Sequence, residues 1–199
     1  IGPSYNVDFI FKVNNHQAGL IEHEGARSSK NTFFGFRSGI NVTTGYWNVG
    51  VGYTSLQALT TGNTNTAIGL DALLNNTTGN SNTASGEDAM LTNTTGNNNS
   101  AYGVHAMYNN TTASGNVAVG ASSMEFNTTG YYNAAVGYVS LYGNTTGSNN
   151  TCMGYAAGYG ITTGAENVMI GSGAYNAGNS NRNTVIGAYG LGGGGSNGG

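Results

Sequence analysis

The chain has 199 residues, of which only 7% are charged, 38% are hydrophobic and 35 are glycine. Its formal net charge is -3, and neither lysine nor arginine lies between Ser38 and Asn181. A surface without cations cannot neutralise phosphates, and no apolar run is long enough to span a bilayer, so we expect no nucleic-acid partner and no membrane insertion.

Residues 1–30 do not follow the repeat that dominates the rest of the chain. Apolar side chains occupy every second position in the first part of this segment, at Val7, Phe9, Phe11 and Val13. This alternation predicts a β-strand, and a turn at 14–17 followed by a second apolar stretch at 18–21 completes a predicted hairpin. We expect the hairpin to cap the first coil or to dock a partner, with the four alternating residues as candidate assembly contacts.

A five-residue motif that begins with Asn and ends with Gly recurs through residues 31–190. Eight successive spacings are 17 residues and the last is 16. Such self-similarity predicts a solenoid in which each coil buries its apolar face against its neighbours. Stacked about 4.8 Å apart, identical carboxamides would bond to one another in a ladder. The asparagines, which define position 1 of each coil, are Asn31, Asn48, Asn65, Asn82, Asn99, Asn116, Asn133, Asn150, Asn167 and Asn183.

Other positions of the coil also have characteristic residues. Position 4 is mostly large and apolar, as in Ile68, and position 9 is usually Leu or Met, as in Leu56. We expect these two positions to form the inner seam. Position 8 is always small, as in Ala72, which indicates close approach of another wall or another chain. Position 5 is Gly in every coil, which predicts a corner with positive φ.

The repeat predicts an all-β fold, a parallel β-solenoid or β-roll of about ten 17-residue coils with the N-terminal hairpin as its cap. Each coil should contain about two short strands and two turns, and ten coils would form a rod about 48 Å long. A Thr-Thr pair at positions 13 and 14, usually followed by Gly, is typical of a turn. Residues 191–199 form a Gly-rich tail that offers nothing to cover the last coil, so we expect a further domain or subunit there.

The segment Asn65-Thr-Ala-Ile-Gly-Leu-Asp-Ala-Leu-Leu-Asn-Asn-Thr-Thr-Gly79 resembles the repeat of phage-type tail-fibre-domain proteins. The resemblance covers residues 31–190. The five-residue motif is also similar to the head repeats of trimeric autotransporter adhesins, which are parallel β-rolls packed into trimers, although their repeat is shorter. The resemblance implies a homotrimeric fibre outside the cell.

The acidic residues and histidines are scattered and form no pattern typical of an active site. The densest group is Glu22-His23-Glu24, but its members alternate across a strand and no second His follows at a metal-ligand spacing. Asp71, Glu87 and Asp88 fall in adjacent coils, yet calcium-binding solenoids repeat acids in nearly every turn. We therefore predict no enzyme, no catalytic residue, no metal site and no cofactor.

The sequence favours a structural fibre or adhesin shaft that is extracellular, at a cell surface or on a virion. It would self-associate as a homotrimer or by head-to-tail stacking into a filament. A carbohydrate- or receptor-binding module is the alternative, with a cell-surface glycan as partner and aromatic rings as its contacts. These aromatic candidates lie at positions 16 and 17 of two coils: Tyr46, Trp47, Tyr131 and Tyr132.

The Asn-Thr-Thr triplets raise two further hypotheses. Stacked threonines are a feature of ice-binding solenoids, although only one Thr of each pair can lie on a flat face. The triplets also match the acceptor signal for N-glycosylation, and a turn would place them outward. The five asparagines concerned are Asn76, Asn93, Asn110, Asn127 and Asn144.

Overall fold

A computed structural model describes residues 9–13, 16–21, 30–175 and 179–188. The described residues form no helix, and their twelve strands lie in one sheet in chain order. The strands are β1 (Phe9–Val13), β2 (His16–Ile21), β3 (Thr32–Phe34), β4 (Val49–Val51), β5 (Thr66–Ile68), β6 (Thr83–Ser85), β7 (Ser100–Tyr102), β8 (Val117–Val119), β9 (Ala134–Val136), β10 (Thr151–Met153), β11 (Val168–Ile170) and β12 (Thr184–Ile186).

Strands β3 to β12 are parallel and in register, so equivalent residues of successive coils lie side by side. Ala84, for example, lies beside Ala101, which lies beside Ala118. This arrangement confirms the predicted parallel β-solenoid. Each coil contains one three-residue strand rather than the two that we predicted. The second strand is missing because residues with positive φ at positions 7 and 9 interrupt any extended backbone on that side.

The N-terminal hairpin is confirmed as the cap of the solenoid. Strand β1 is antiparallel to β2, and β2 is antiparallel to β3, with Leu20 opposite Phe33. Of the turn that the sequence predicts at 14–17, His16 and Gln17 belong to β2, and residues 14–15 lie outside the described residues. The hairpin thus covers the edge that the first coil would otherwise leave open.

Position 4 faces outward, so the prediction that it forms the inner seam is wrong. Side chains of a strand point alternately to its two faces. Because the position-1 Asn points inward, position 3 also points inward, and positions 2 and 4 point outward. Ala101 at position 3 is fully buried, whereas Tyr102 at position 4 is exposed. Position 9 is buried as expected, in Leu56, Leu73, Met90, Met107, Met124 and Leu141.

The interior of the coil is thin, which explains the small residues at positions 3 and 8. In two coils a larger residue at position 3 is matched by glycine at position 9. Phe33 stands at position 3 of the first coil, and a Cβ added to Gly39 at position 9 would lie 2.5 Å from its ring. A Cβ on Gly158 would likewise lie 2.5 Å from the sulfur of Cys152. Burial raises the pKa of the Cys152 thiol to about 12, so this group is a neutral packing element.

The position-1 asparagines form a continuous ladder inside the solenoid, which we call the first Asn ladder. The Asn99 Nδ2 donates to Oδ1 of Asn82 (3.2 Å) and to the carbonyl oxygen of Ala113 (2.8 Å). The Asn99 Oδ1 accepts the backbone N–H and the Nδ2–H of Asn116 at 3.0 and 3.3 Å. Each carboxamide therefore joins its own turn to the coils before and after it.

Every coil also holds several residues in the left-handed region. Glycine fills position 5 with φ between 126° and 144°, as in Gly171 and Gly86. Positions 7, 9 and 17 are left-handed in most coils even where they are not glycine, and Val139 at position 7 has a φ of 49°. A left-handed conformation costs an ordinary L-residue roughly 1–2 kcal/mol, and a β-branched residue tolerates it least.

We expect the substitution Val139→Asn to stabilise the solenoid. Asparagine accepts the left-handed region more readily than valine does, and Val139 is only half-buried, so little packing is lost. The expected gain is about 1 kcal/mol in the free energy of unfolding, or roughly 2–4 °C in Tm. Thermal melts followed by circular dichroism would measure it, with Val139→Ile as the control that keeps the strain. A lower Tm for the asparagine variant would contradict this account.

Candidate functional site

The outside of the parallel sheet carries an uncharged surface of large apolar side chains with threonines and serines between them, which we call the outward face. It consists of the side chains at positions 2 and 4 of β3 to β12, and none of these residues is charged. Nine large apolar side chains of this face are exposed: Phe34, Val49, Val51, Ile68, Tyr102, Val117, Val119, Met153 and Ile186. A row of apolar side chains, interrupted at Ser85, thus follows the rod along its length.

The N-terminal hairpin continues the outward face. The ring of Phe11 lies 5.1 Å from that of Phe34, and the rings of Phe9 and Phe11 are 4.4 Å apart. Val13 is also exposed, while Val7 lies outside the described residues. Two of the four candidate assembly residues therefore join the face that the solenoid presents.

Position 6, just after the corner glycine, adds aromatic stacks along one side of the outward face. Phe36 stacks on Tyr53 with a centroid separation of 5.3 Å, and Tyr138 stacks on Tyr155 at 5.9 Å. Both pairs join neighbouring coils, and all four rings are exposed on their other side. The apolar surface is accordingly wider than the strands at these two places, while the exposed carboxylate of Glu87 occupies position 6 of a coil between them.

The four aromatic candidates form two separate pairs. Tyr46 and Trp47 pack edge to face at 4.8 Å, and Tyr131 and Tyr132 do so at 5.3 Å. Both pairs lie at the corner before a strand, where position 17 has a positive φ. Trp47 is 56% and Tyr132 is 65% exposed, so neither ring belongs to the core.

The asparagines of the five Asn-Thr-Thr triplets are fully buried, so the expectation that they face outward is wrong. They occupy position 12 and form a second Asn ladder inside the solenoid. The Asn110 Nδ2 donates to Oδ1 of Asn93 at 2.8 Å, and the Asn127 Nδ2 donates to Oδ1 of Asn110 at 3.0 Å. Other coils have Leu59 or Ile161 at position 12. These apolar residues are the sequence signal that could have indicated that position 12 points into the core.

The second Asn ladder ends with an unsatisfied acceptor. Oδ1 of Asn144 is buried and has no hydrogen-bond partner. The reason is that the equivalent position of the next coil is Ile161, which has no amide to donate. The ladder therefore has a direction, because in each of its four bonds the Nδ2 donates to Oδ1 of the asparagine in the preceding coil.

We predict that these five asparagines carry no glycan in the folded protein, because a buried, hydrogen-bonded carboxamide cannot bear an exposed sugar chain. The chain provides exposed controls in two other acceptor triplets, Asn41-Val-Thr43 and Asn75-Asn-Thr77, whose first asparagines are exposed. Mass spectrometry of protein secreted from a glycosylating host should show the five buried sites unmodified. Occupancy at Asn110 in folded protein would contradict the second Asn ladder.

The Thr pairs divide their roles between the inside and the outside of the turn. At position 13, the hydroxyl of Thr77 donates to the carbonyl oxygen of Thr94 at 3.1 Å, and other coils repeat this bond. At position 14, Thr78 is exposed, as are its equivalents. The solenoid thus offers the ice-binding alternative a single row of free-facing threonines rather than a two-dimensional array.

Acidic side chains meet at position 7 of neighbouring coils. Oδ2 of Asp88 lies 3.4 Å from Nε2 of His105. Burial raises the pKa of Asp88, His105 opposes the shift, and the carboxylates of Asp71 and Glu87 add to it. Within the described ranges no three His, Cys, Asp or Glu side chains converge on a metal position, and residues 22–24 lie outside those ranges.

The chain matches no protein-family model, no curated protein and no solved structure. In the part of the chain that the structure describes, no helix is long and apolar enough to cross a bilayer.

Proposed function

We propose that the chain is a structural shaft subunit of an extracellular fibre or adhesin, at a cell surface or on a virion. In this proposal it has no catalytic role, and it self-associates side by side through the outward face. The supporting observation is the exposed apolar row on a solenoid whose own core is already complete. Soluble monomers rarely expose contiguous apolar patches larger than a few hundred Å².

The outward face is large enough for a stable interface. An apolar side chain of this size and exposure leaves on the order of 60–100 Å² in water, so the nine side chains with the flanking aromatics present on the order of 1,000 Å². A standard interface takes about 800 Å² from each partner. Burying the whole row would therefore account for a specific complex.

A second copy of this chain suits the outward face better than an unrelated partner does. Side chains on the face recur at every coil, about 4.8 Å apart, and another copy has the same spacing, so their rows can interdigitate along the rod. The face carries no charge, a composition typical of obligate interfaces between identical subunits. The similarity to trimeric autotransporter adhesins suggests three copies.

Side-by-side packing has more surface to use than head-to-tail stacking has. Stacking would join the ends of the twelve-stranded sheet, where the terminal strands of the described residues are β1 and β12. Strand β12 has three residues and β1 has five, and the hairpin already covers the first coil. A filament formed in this way would bury a small area at each joint.

Sedimentation velocity combined with electron microscopy tests the proposal. We expect a discrete homotrimer that appears as a short rod about 48 Å long. Replacing Ile68 and Val119 together with lysine should give monomers, because three copies would bring uncompensated charges together. Thr78→Lys with Thr146→Lys adds the same charges at exposed position 14 of two coils and should leave the trimer intact.

Three results would count against side-by-side assembly. A wild-type protein that is monomeric at micromolar concentration would remove the interface. Long uniform filaments would favour head-to-tail stacking instead. Equal sedimentation of the outward-face variant and the wild type would show that another surface holds the subunits together.

A further inference from the structure

The repeat itself shows which residues the fold needs at positions 16 and 17. At position 16 the side chain accepts a hydrogen bond from the backbone of the preceding coil, as Asn97 Oδ1 does from Asn80 N–H (2.8 Å) and Ser114 Oγ from Asn97 N–H (3.0 Å). At position 17 most coils place small or polar residues: Thr64, Ser81, Asn98, Gly115 and Asn149. The tyrosines at 131 and 132 meet neither requirement.

Tyr131 and Tyr132 are therefore departures from the repeat that its hydrogen bonds do not explain. A tyrosine ring has no acceptor next to the backbone, so Tyr131 cannot make the bond that Asn or Ser makes at this position. Exposing two large rings also gives no stability to the core. Tyr132 covers Gly115 of the preceding coil, but packing within the chain does not account for Tyr131 or for the exposed parts of the two rings.

The two rings form the wall of a groove. The ring of Tyr132 lies directly over Gly115, where an added Cβ would be 2.5 Å from it. The groove has a volume of about 310 Å³ and is lined by Thr112, Ala113, Ser114, Thr129, Tyr131 and Tyr132. An exposed aromatic face thus borders three hydroxyl-bearing side chains in one open depression.

We propose that this groove binds a pyranose ring of a neutral glycan. The apolar C–H face of a pyranose packs on an aromatic ring, and the ring hydroxyls require donors and acceptors beside it. Tyr132 provides the face, and Thr112, Ser114 and Thr129 provide hydroxyls at its edge. This binding activity goes beyond the proposed structural role, because a shaft needs no ligand.

The charge of the chain decides which glycans fit the groove. Neither lysine nor arginine occurs between Ser38 and Asn181, so nothing there can pair with the carboxylate of a sialic acid or with a sulfate. Bringing such an anion to the groove would cost solvation without an opposite charge in return. The site therefore selects uncharged sugars.

Tyr46 and Trp47 repeat the aromatic arrangement five coils earlier. They occupy the same positions 16 and 17 and the same edge-to-face geometry. Five coils correspond to about 24 Å along the rod, so one extended glycan chain that follows the axis could contact both pairs. Binding at two points of one chain would raise its affinity above that of either point alone.

A glycan array with neutral, sialylated and sulfated oligosaccharides tests the proposal, followed by calorimetric titration with the best neutral oligosaccharide. The wild type should retain neutral members of the array. The double variant Tyr131→Ser with Tyr132→Asn introduces the residues that the repeat itself uses, so it should fold normally and bind at least tenfold more weakly. Tyr159→Ala, which removes an exposed tyrosine elsewhere, should bind as the wild type does.

The proposal fails if no neutral oligosaccharide is retained, if only acidic ones are, or if the double variant binds within twofold of the wild type. Sedimentation of the double variant should equal that of the wild type, since positions 16 and 17 lie off the outward face. The two proposals can thus fail independently.

Discussion

Replacing Gly103 by alanine is expected to lower the stability of the solenoid strongly. Gly103 has a φ of 135°, and its added Cβ would lie 2.6 Å from the carbonyl carbon of Gly120 and 2.8 Å from N of Ala121. These atoms belong to the backbone of the next coil and cannot move without breaking the stack. We expect a loss of about 3 kcal/mol or more in the free energy of unfolding, roughly 10 °C in Tm.

The same repeat provides a control that separates the cost of a positive φ from the cost of a clash between the added Cβ and the next coil. Gly187 occupies position 5 of the last coil with a φ of 133°, but a Cβ there would have no described atom within 4 Å. Gly187→Ala should therefore cost only the conformational strain, roughly 1–3 kcal/mol. Thermal and urea unfolding of both variants would give the difference. Equal losses would mean that the close approach of successive coils does not require glycine.

Self-repetition made the architecture predictable from the sequence. A position that recurs ten times, such as the Asn of the motif, must satisfy the same environment ten times. An inward carboxamide can do so only by bonding to its equivalents along the stack. Glycine at position 5 follows from the same reasoning, because the backbones of successive coils meet there.

Whether each large apolar side chain points into the core or to the outside of the solenoid was not predictable in the same way. Ile68 and Leu56 are both large and apolar, yet Ile68 lies on the outward face and Leu56 lies in the core. An apolar residue looks the same in a sequence whether its side chain is buried in the core of its own chain or exposed on the surface. The period-2 rule, applied from the inward Asn, would have assigned position 4 to the outside.

The second Asn ladder was not predicted, because its asparagines lie in segments that have the composition of a turn. Asn, Thr and Gly are the usual residues of turns, so the segment Asn76-Thr-Thr-Gly79 is adequately explained without an inward side chain. The left-handed residues at positions 7, 9 and 17 had no sequence signal either. Leu73 and Met90, for instance, have φ values of 51° and 52° although such residues rarely adopt them. Stacking of neighbouring coils imposes that conformation.

Breaking one rung of the first Asn ladder should be the most damaging change to a polar residue. Asn99→Ala leaves the Asn116 N–H without its acceptor. Asn82 Oδ1 and the Ala113 carbonyl oxygen each lose one donor, but the first keeps the backbone N–H of residue 99 and the second keeps Asn110 Nδ2–H. A buried polar group left without a partner costs roughly 1–3 kcal/mol and each further lost hydrogen bond roughly 0.5–1.5 kcal/mol, so we expect a loss of about 3–5 kcal/mol in the free energy of unfolding. Urea unfolding would measure it, with Asn98→Gly at the exposed neighbouring position as the near-neutral control.

Asn99→Asp tests whether the direction of the ladder matters, because it keeps the shape of the side chain. An ionised carboxylate cannot donate to Asn82 Oδ1, and burial favours its neutral form, so its pKa in the folded protein should be raised. A carboxyl group whose folded pKa exceeds its unfolded pKa stabilises the fold most at low pH, where the protonated oxygen can donate in place of Nδ2. The variant should therefore lose stability as pH rises through the folded pKa, while the wild type, which keeps an amide there, should not show this loss. A variant whose stability relative to the wild type is independent of pH would mean that solvent reaches position 1, and the ladder would then be a surface feature rather than the axis that holds the coils in register.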